Sequence, residues 1–151
     1  MSFKKILIEP DPILRKKSIP LEQVDDSVKK LMDDMLATMY QAPGIGLAAI
    51  QVGILKRIVV IDISKEKEKK DPLFLVNPQI INRSKETSIY EEGCLSLPGQ
   101  FAEIERPSDC LIKYVDYNGK EKELQASGLL ATCIQHEVDH LNGILFIDYL
   151  S

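Results

Sequence analysis

The chain has 151 residues, 44% hydrophobic and 28% charged, with a formal net charge of -4. That suits one domain with its own core, expected to span 1–151, and excludes a disordered chain. It also excludes a duplex-DNA binder that works by neutralising phosphates, and no apolar run approaches the length of a membrane span.

The first element in chain order is a helix over residues 24–39. Apolar residues fall at 24, 28, 31, 32, 35, 36 and 39, opposite Lys29, Lys30, Asp33 and Asp34, and Pro43-Gly44 stops the pattern. Residues 58–63 read as a buried strand. The alternating lysine and glutamate run at 65–70 has no apolar face and reads as a solvated loop. Residues 73–76 and 80–81 read as two strands joined near Asn77-Pro78. Residues 110–117 read as a strand, Asn118-Gly119 as a hairpin turn and 120–125 as the return strand. Ser127 reads as the N-cap of a second helix running to Asn142-Gly143, and 144–147 as a short extended tail. Two helices among antiparallel strands make an α+β fold. The N-terminus has neither the apolar core nor the cleavage site of a signal peptide, so the cytoplasm is the expected compartment.

The second helix carries the chemistry. His136-Glu137-Val138-Asp139-His140 fits the H-E-x-x-H pattern, and both histidines of the chain lie in it. Residues four apart on a helix share a face, so both imidazoles can reach one ion. Glu137 is placed to take a proton from a water on that ion. Leu129, Cys133, His136 and His140 form a stripe toward a site, while Leu130, Ile134 and Leu141, with Val138 at the edge, form a stripe toward the core. The strands are therefore expected to pack around a central metal-binding helix.

A catalytic site of this kind needs a third protein ligand and an open position. No third histidine exists, so the ligand is a cysteine or a carboxylate. An odd, sparse set of cysteines in a chain without an export signal does not make a disulfide framework. Cys94 leads, because Gly93 before it permits close backbone approach, with a carboxylate as the alternative. Cys133 reads as pocket wall, and Cys110 as a buried small hydrophobe in a strand. Two acids near these ligands, Glu92 and Asp139, need a cation, and Arg106 is the candidate.

Three segments together resemble peptide deformylase: Gly44-Ile45-Gly46-Leu47-Ala48-Ala49-Ile50-Gln51, Glu92-Gly93-Cys94-Leu95-Ser96, and Gln135-His136-Glu137-Val138-Asp139-His140. The likeness runs more weakly through 10–16 and to the end. It implies removal of the formyl group from formylmethionyl nascent polypeptides, with release of formate. Cys94, His136 and His140 would hold one divalent ion, commonly Fe2+ in cells, with Zn2+, Ni2+ or Co2+ as substitutes. Glu137 would move the proton, and the Gln51 amide with the Leu95 backbone N–H would stabilise the oxyanion. Gly44 and Gly46 would let the substrate lie along the backbone, with Ile45 pairing to its main chain and Gly93 also at the substrate, and Leu129, Cys133, Ile45 and Leu95 would wall the methionine pocket. Many members continue as a C-terminal helix, which some use to dock on the ribosome. This sequence stops at Tyr149-Leu150-Ser151, so that docking is not expected. Some members have arginine where Phe101 stands. The rivals are a zinc endopeptidase, suggested by His136-Glu137 alone, and a silent binding module with a structural metal.

Overall fold

The structure, a computed structural model, describes residues 2–64 and 69–150. Most of the charged run at 65–70 lies outside the described residues. Among the described residues, two α-helices, α1 (Asp26–Gln41) and α2 (Gly128–Leu141), accompany seven strands: β1 (Gly46–Ala48), β2 (Ile58–Ile61), β3 (Leu73–Arg83), β4 (Thr87–Cys94), β5 (Leu97–Pro107), β6 (Asp109–Val115) and β7 (Glu121–Ser127). Every strand pairing is antiparallel, in a five-stranded sheet of order β1-β2-β3-β6-β7 and a separate β4-β5 ribbon. The architecture is the expected α+β.

The large sheet has a helix on each face. Along β2, Val59 and Ile61 face one core with Ala131, Ile134, Val138 and Leu141 of α2. Ile58 and Val60 face the other, with Val28, Leu31, Met32, Met35 and Met39 of α1. A strand with both faces covered needs apolar residues at every position, which is why β2 is a continuous apolar run. Each such side chain stabilises the fold by about 1.5–3 kcal/mol relative to exposure. The Asp25 side chain accepts the Val28 N–H and starts α1. Among the described residues, no helix is long and apolar enough to cross a membrane.

Three local expectations need correction. Residues 73–76 and 80–81 belong to one strand, β3, whose register shifts at Asn77. Asn77 takes φ 51°, and its side-chain amide bonds the N–H and carbonyl of Leu21, which stabilises the bend. Ser127 occupies the N-cap position of α2, but its hydroxyl makes no capping bond. The tail is not extended throughout: Phe146–Tyr149 form a 3-10 turn. Asp148 accepts the Leu145 N–H there, while Leu145 and Phe146 bury themselves against Leu97 and Ile104.

The ribbon of β4 and β5 was not foreseen. Its residues are largely charged or exposed, with Glu91, Glu92, Glu103 and Glu105 along it, so no clean alternation marks it. Its regular pairing runs from Thr87↔Pro107 to Gly93↔Phe101 and breaks between Gly93 and Cys94. That break leaves Cys94 at the ribbon's end, beside α2.

Candidate metal centre and active site

One turn of α2 separates His136 from His140, and their ring centroids lie 4.9 Å apart. The ribbon brings Cys94 to them, so that the ligand atoms of Cys94, His136 and His140 all lie within 4.8 Å of one another. Cys94 Sγ is 3.2 Å from His140 Nε2. Sulfur and nitrogen ligands held at roughly 2.0–2.3 Å in a tetrahedron stand about 3.5 Å apart, so the three atoms suit one ion. A thiolate with two imidazoles is a donor set for a divalent transition metal. His136 Nδ1 is tied to Glu92 Oε1 at 2.9 Å, which leaves Nε2 for the ion.

Arg106 organises the surroundings and is itself buried. Its Nε and Nη2 donate to the two oxygens of Glu92 at 2.6 and 3.0 Å, and its Nη1 donates to Asp139 Oδ2 at 2.9 Å. The cation expected from sequence thus holds both acids. Burial pushes the Glu92 carboxyl up, but hydrogen bonds from His136 and Arg106 outweigh it and hold the group below its ordinary value. Asp139, adjacent to His140 in sequence, turns instead to Arg106 and Tyr149. His140 Nδ1 is buried, with no hydrogen-bond partner among the described residues. Burial, followed by the nearby His136 and Arg106, keeps His140 neutral, well below its ordinary value. His136 is pushed up to about 10, because hydrogen bonds to Cys94 and Glu92 outweigh burial.

A cavity of about 630 Å³ opens beside this centre. Gly44, Ile45, Gly46, Gly93, Cys94, Leu95, Leu129, Cys133, His136 and Glu137 all line it. Gln51 and His140 lie behind the wall, each 1% exposed. Glu137 Oε1 is buried, without a hydrogen-bond partner among the described residues. Burial pushes the Glu137 carboxyl up to about 7, with His136 opposing and Glu92 adding to the rise. The Gln51 Oε1 accepts the Ala48 N–H at 2.9 Å, which turns Nε2 toward Ser96 Oγ at 3.1 Å and Cys94 Sγ at 3.4 Å.

The glycines were expected to make room for substrate backbone. The structure gives each a nearer reason. A Cβ on Gly46 would lie 2.5 Å from Glu137 Oε2 and 3.0 Å from Cys133 Sγ. One on Gly44 would lie 2.8 Å from Leu95 Cδ1, and one on Gly93 would lie 2.6 Å from the Phe101 ring. The first requirement for glycine is thus the close approach of the protein's own side chains.

Several contributors were missed. Ser96, inside a quoted motif, is fully buried and receives the Gln51 amide. Phe146 stacks on His136 with ring centroids 6.0 Å apart. Ile6 and Ile8 reach the cavity from the N-terminal segment. An aromatic residue shortly after the metal helix was the available signal for Phe146; nothing local marked the other two.

Comparison with known proteins agrees with this geometry. Residues 3–151 match the polypeptide deformylase family. A peptide deformylase of Pelagibacter ubique is 64% identical over 151 residues, covering 100% of this chain and 88% of that protein. One of Rhizobium meliloti is 57% identical, covering 100% and 87%. Among solved structures, a peptide deformylase of Ehrlichia chaffeensis in complex with actinonin superposes with a TM-score of 0.95 at 46% identity, covering 100% of this chain and 90% of that one. The enzyme of Thermotoga maritima superposes at 0.94 and 41% identity, covering 100% and 99%. Likeness of this extent goes beyond a shared fold and sets aside both the endopeptidase and the silent module: the chain belongs to the peptide deformylase family, metal-dependent hydrolases that remove the formyl group from the N-terminus of new polypeptides.

Proposed function

We propose that deformylation in this chain runs on one divalent ion held by Cys94, His136 and His140, with Glu137 as the proton carrier. The supporting observation is the buried Glu137 Oε1, which has no hydrogen-bond partner among the described residues, on the wall that Cys94 and His136 also line. When bound, the ion supplies Lewis-acid polarisation of the formyl carbonyl and acidifies the attacking water. Glu137 takes a proton from that water as its oxygen adds to the formyl carbon. The same carboxyl then gives the proton to the departing amine nitrogen as the C–N bond breaks, and formate leaves with the added oxygen. A carboxyl raised to about 7 suits both transfers, and its value falls beside a cation, so the base form prevails before attack. The Gln51 amide and the Leu95 N–H donate to the oxyanion.

In this reading the substrate main chain lies along β1. That strand ends the five-stranded sheet, so one of its edges is free of any strand among the described residues. Gly44, Ile45 and Gly46 form that side of the cleft and Gly93 the other, while Leu95, Leu129 and Cys133 wall the methionine pocket. Ferrous iron is the ion assigned to the cell, and Zn2+, Ni2+ or Co2+ can replace it. The place of work is the cytoplasm. The test is metal stoichiometry of anaerobically prepared protein, paired with formate release from formyl-Met-Ala-Ser. Wild type is expected to hold one ion per chain and to turn over, and Cys94→Ala to lose both. Undiminished metal in Cys94→Ala overturns the ligand assignment.

A further inference from the structure

We propose that Tyr149 is a positioning residue for the metal centre, and that the segment 144–150 is a strap that slows loss of the ion. The inference rests on the ligand set proposed above. Phe146, within the strap and 2% exposed, stacks on His136, its ring plane 27° from the imidazole plane. Three residues on, the Tyr149 hydroxyl donates to Asp139 Oδ2 at 2.7 Å. The Arg106 guanidinium carbon sits over the Tyr149 ring, 4.8 Å from its centroid. Arg106 reaches the same Asp139 oxygen and both oxygens of Glu92, and Glu92 holds His136 Nδ1. An unbroken series of hydrogen bonds thus leads from the strap to a ligand ring.

The strap has a second tie, at the residue next to Tyr149. Asp148 pairs with Arg15 at 2.5 Å and accepts the Leu145 N–H at 3.0 Å. Arg15 takes part in none of the hydrogen bonds that join Tyr149, Asp139, Arg106 and Glu92, so this tie can be cut while each of them is kept.

The Asp139 side chain is 16% exposed, so water competes for it. The Tyr149 hydroxyl fills part of its acceptor capacity, and the tyrosine ring shields the guanidinium face. Without them Arg106 and Asp139 have more freedom. Glu92 then has more freedom too, and His136 loses part of what sets its ring angle. Removing a direct outer partner of a ligand commonly costs 10- to 100-fold in affinity. Tyr149 stands further out, so roughly 3- to 10-fold faster release is expected. Tyr149 is 50% exposed, so changing it opens no buried cavity and global stability should hardly move.

The experiment loads wild type, Tyr149→Phe, Tyr149→Ala and Arg15→Gln with Zn2+, then follows transfer of zinc to a chromophoric chelator. Thermal unfolding is recorded alongside in excess zinc. Tyr149→Phe should release zinc faster than wild type at an unchanged Tm. Tyr149→Ala, which also uncovers the guanidinium, should release it faster still, and Arg15→Gln should stay near wild type. Release from Tyr149→Phe at the wild-type rate overturns the proposal. So does equal acceleration in Arg15→Gln, which would mean general loosening of the tail. Failure of the ligand set would show separately, as wild type without one zinc per chain or as firm retention in Cys94→Ala.

Discussion

The two sheets of this protein are built by different physics. The five-stranded sheet is held by apolar side chains on both faces, and its strands β2 and β3 alternate cleanly between two cores. The β4-β5 ribbon carries few core residues and instead docks on α2 through the Glu92–Arg106–Asp139 bridge and the approach of Cys94 to His140. One sheet supplies stability, while the other brings one proposed metal ligand, Cys94, and the groups that orient a second, His136. A buried ion pair of this kind contributes little net stability against an apolar substitute, yet breaking it by removing one partner is costly. Its value here is the fixed placement of His136.

That division can be tested, starting from the largest effect. Glu137→Gln keeps the shape of the site but cannot carry the proton, so turnover should fall by about 10²- to 10⁴-fold with metal content and Tm retained. Steady-state kinetics with metal analysis checks this, and near-wild-type turnover removes Glu137 from the role. Gln51→Ala should lower kcat by about 10²- to 10³-fold while the ion stays, because the oxyanion it serves forms only along the reaction. A rise in KM with kcat unchanged would contradict that assignment.

A third test concerns acid. Glu92 is held below its ordinary value in the folded protein, so its contribution to stability is present above the unfolded value, about 4.3. That contribution is lost as pH falls through the lower, folded value. A plot of Tm against pH should therefore lose part of its acid slope in Glu92→Gln, whereas a slope equal to wild type would place the acid sensitivity elsewhere. The smallest effect belongs to the other sheet. Ile134→Val, in the core between α2 and the five strands, should cost about 0.5–1.5 kcal/mol in denaturant unfolding. Its metal retention should be unchanged, and if zinc release accelerates as well, the two regions are not separable.

What the sequence disclosed follows the same line. Helix α1, strand β2 and the metal helix α2 were legible because apolar periodicity and a rare histidine pair are local signals. The ribbon was not, since its docking depends on partners far apart in the chain: Arg106 meets Glu92 across 14 positions and Asp139 across 33. Arg106 itself was foreseen only through the chemical need of two acids for a cation. Phe146 and Tyr149 were read as part of, or next to, a simple tail, because nothing nearby in sequence reveals that the chain returns to His136 and Asp139. The glycines expected to lie along the substrate do line the cavity, but the need for glycine at 46 comes from Glu137, a residue 91 positions later.

That contact between Gly46 and Glu137 limits how the enzyme can escape an inhibitor that fills the cavity. The usual route to resistance is added bulk in the wall, and at position 46 even one methyl group would strike Glu137 Oε2, an oxygen of the carboxyl proposed to carry the proton. A lineage that blocks a drug there also blocks its own substrate chemistry. Variation has freer scope at the rim, where Ile45 is 44% and Phe101 66% exposed. A compound that draws its affinity from the floor around Gly46, with little from those two side chains, leaves selection the fewest productive substitutions.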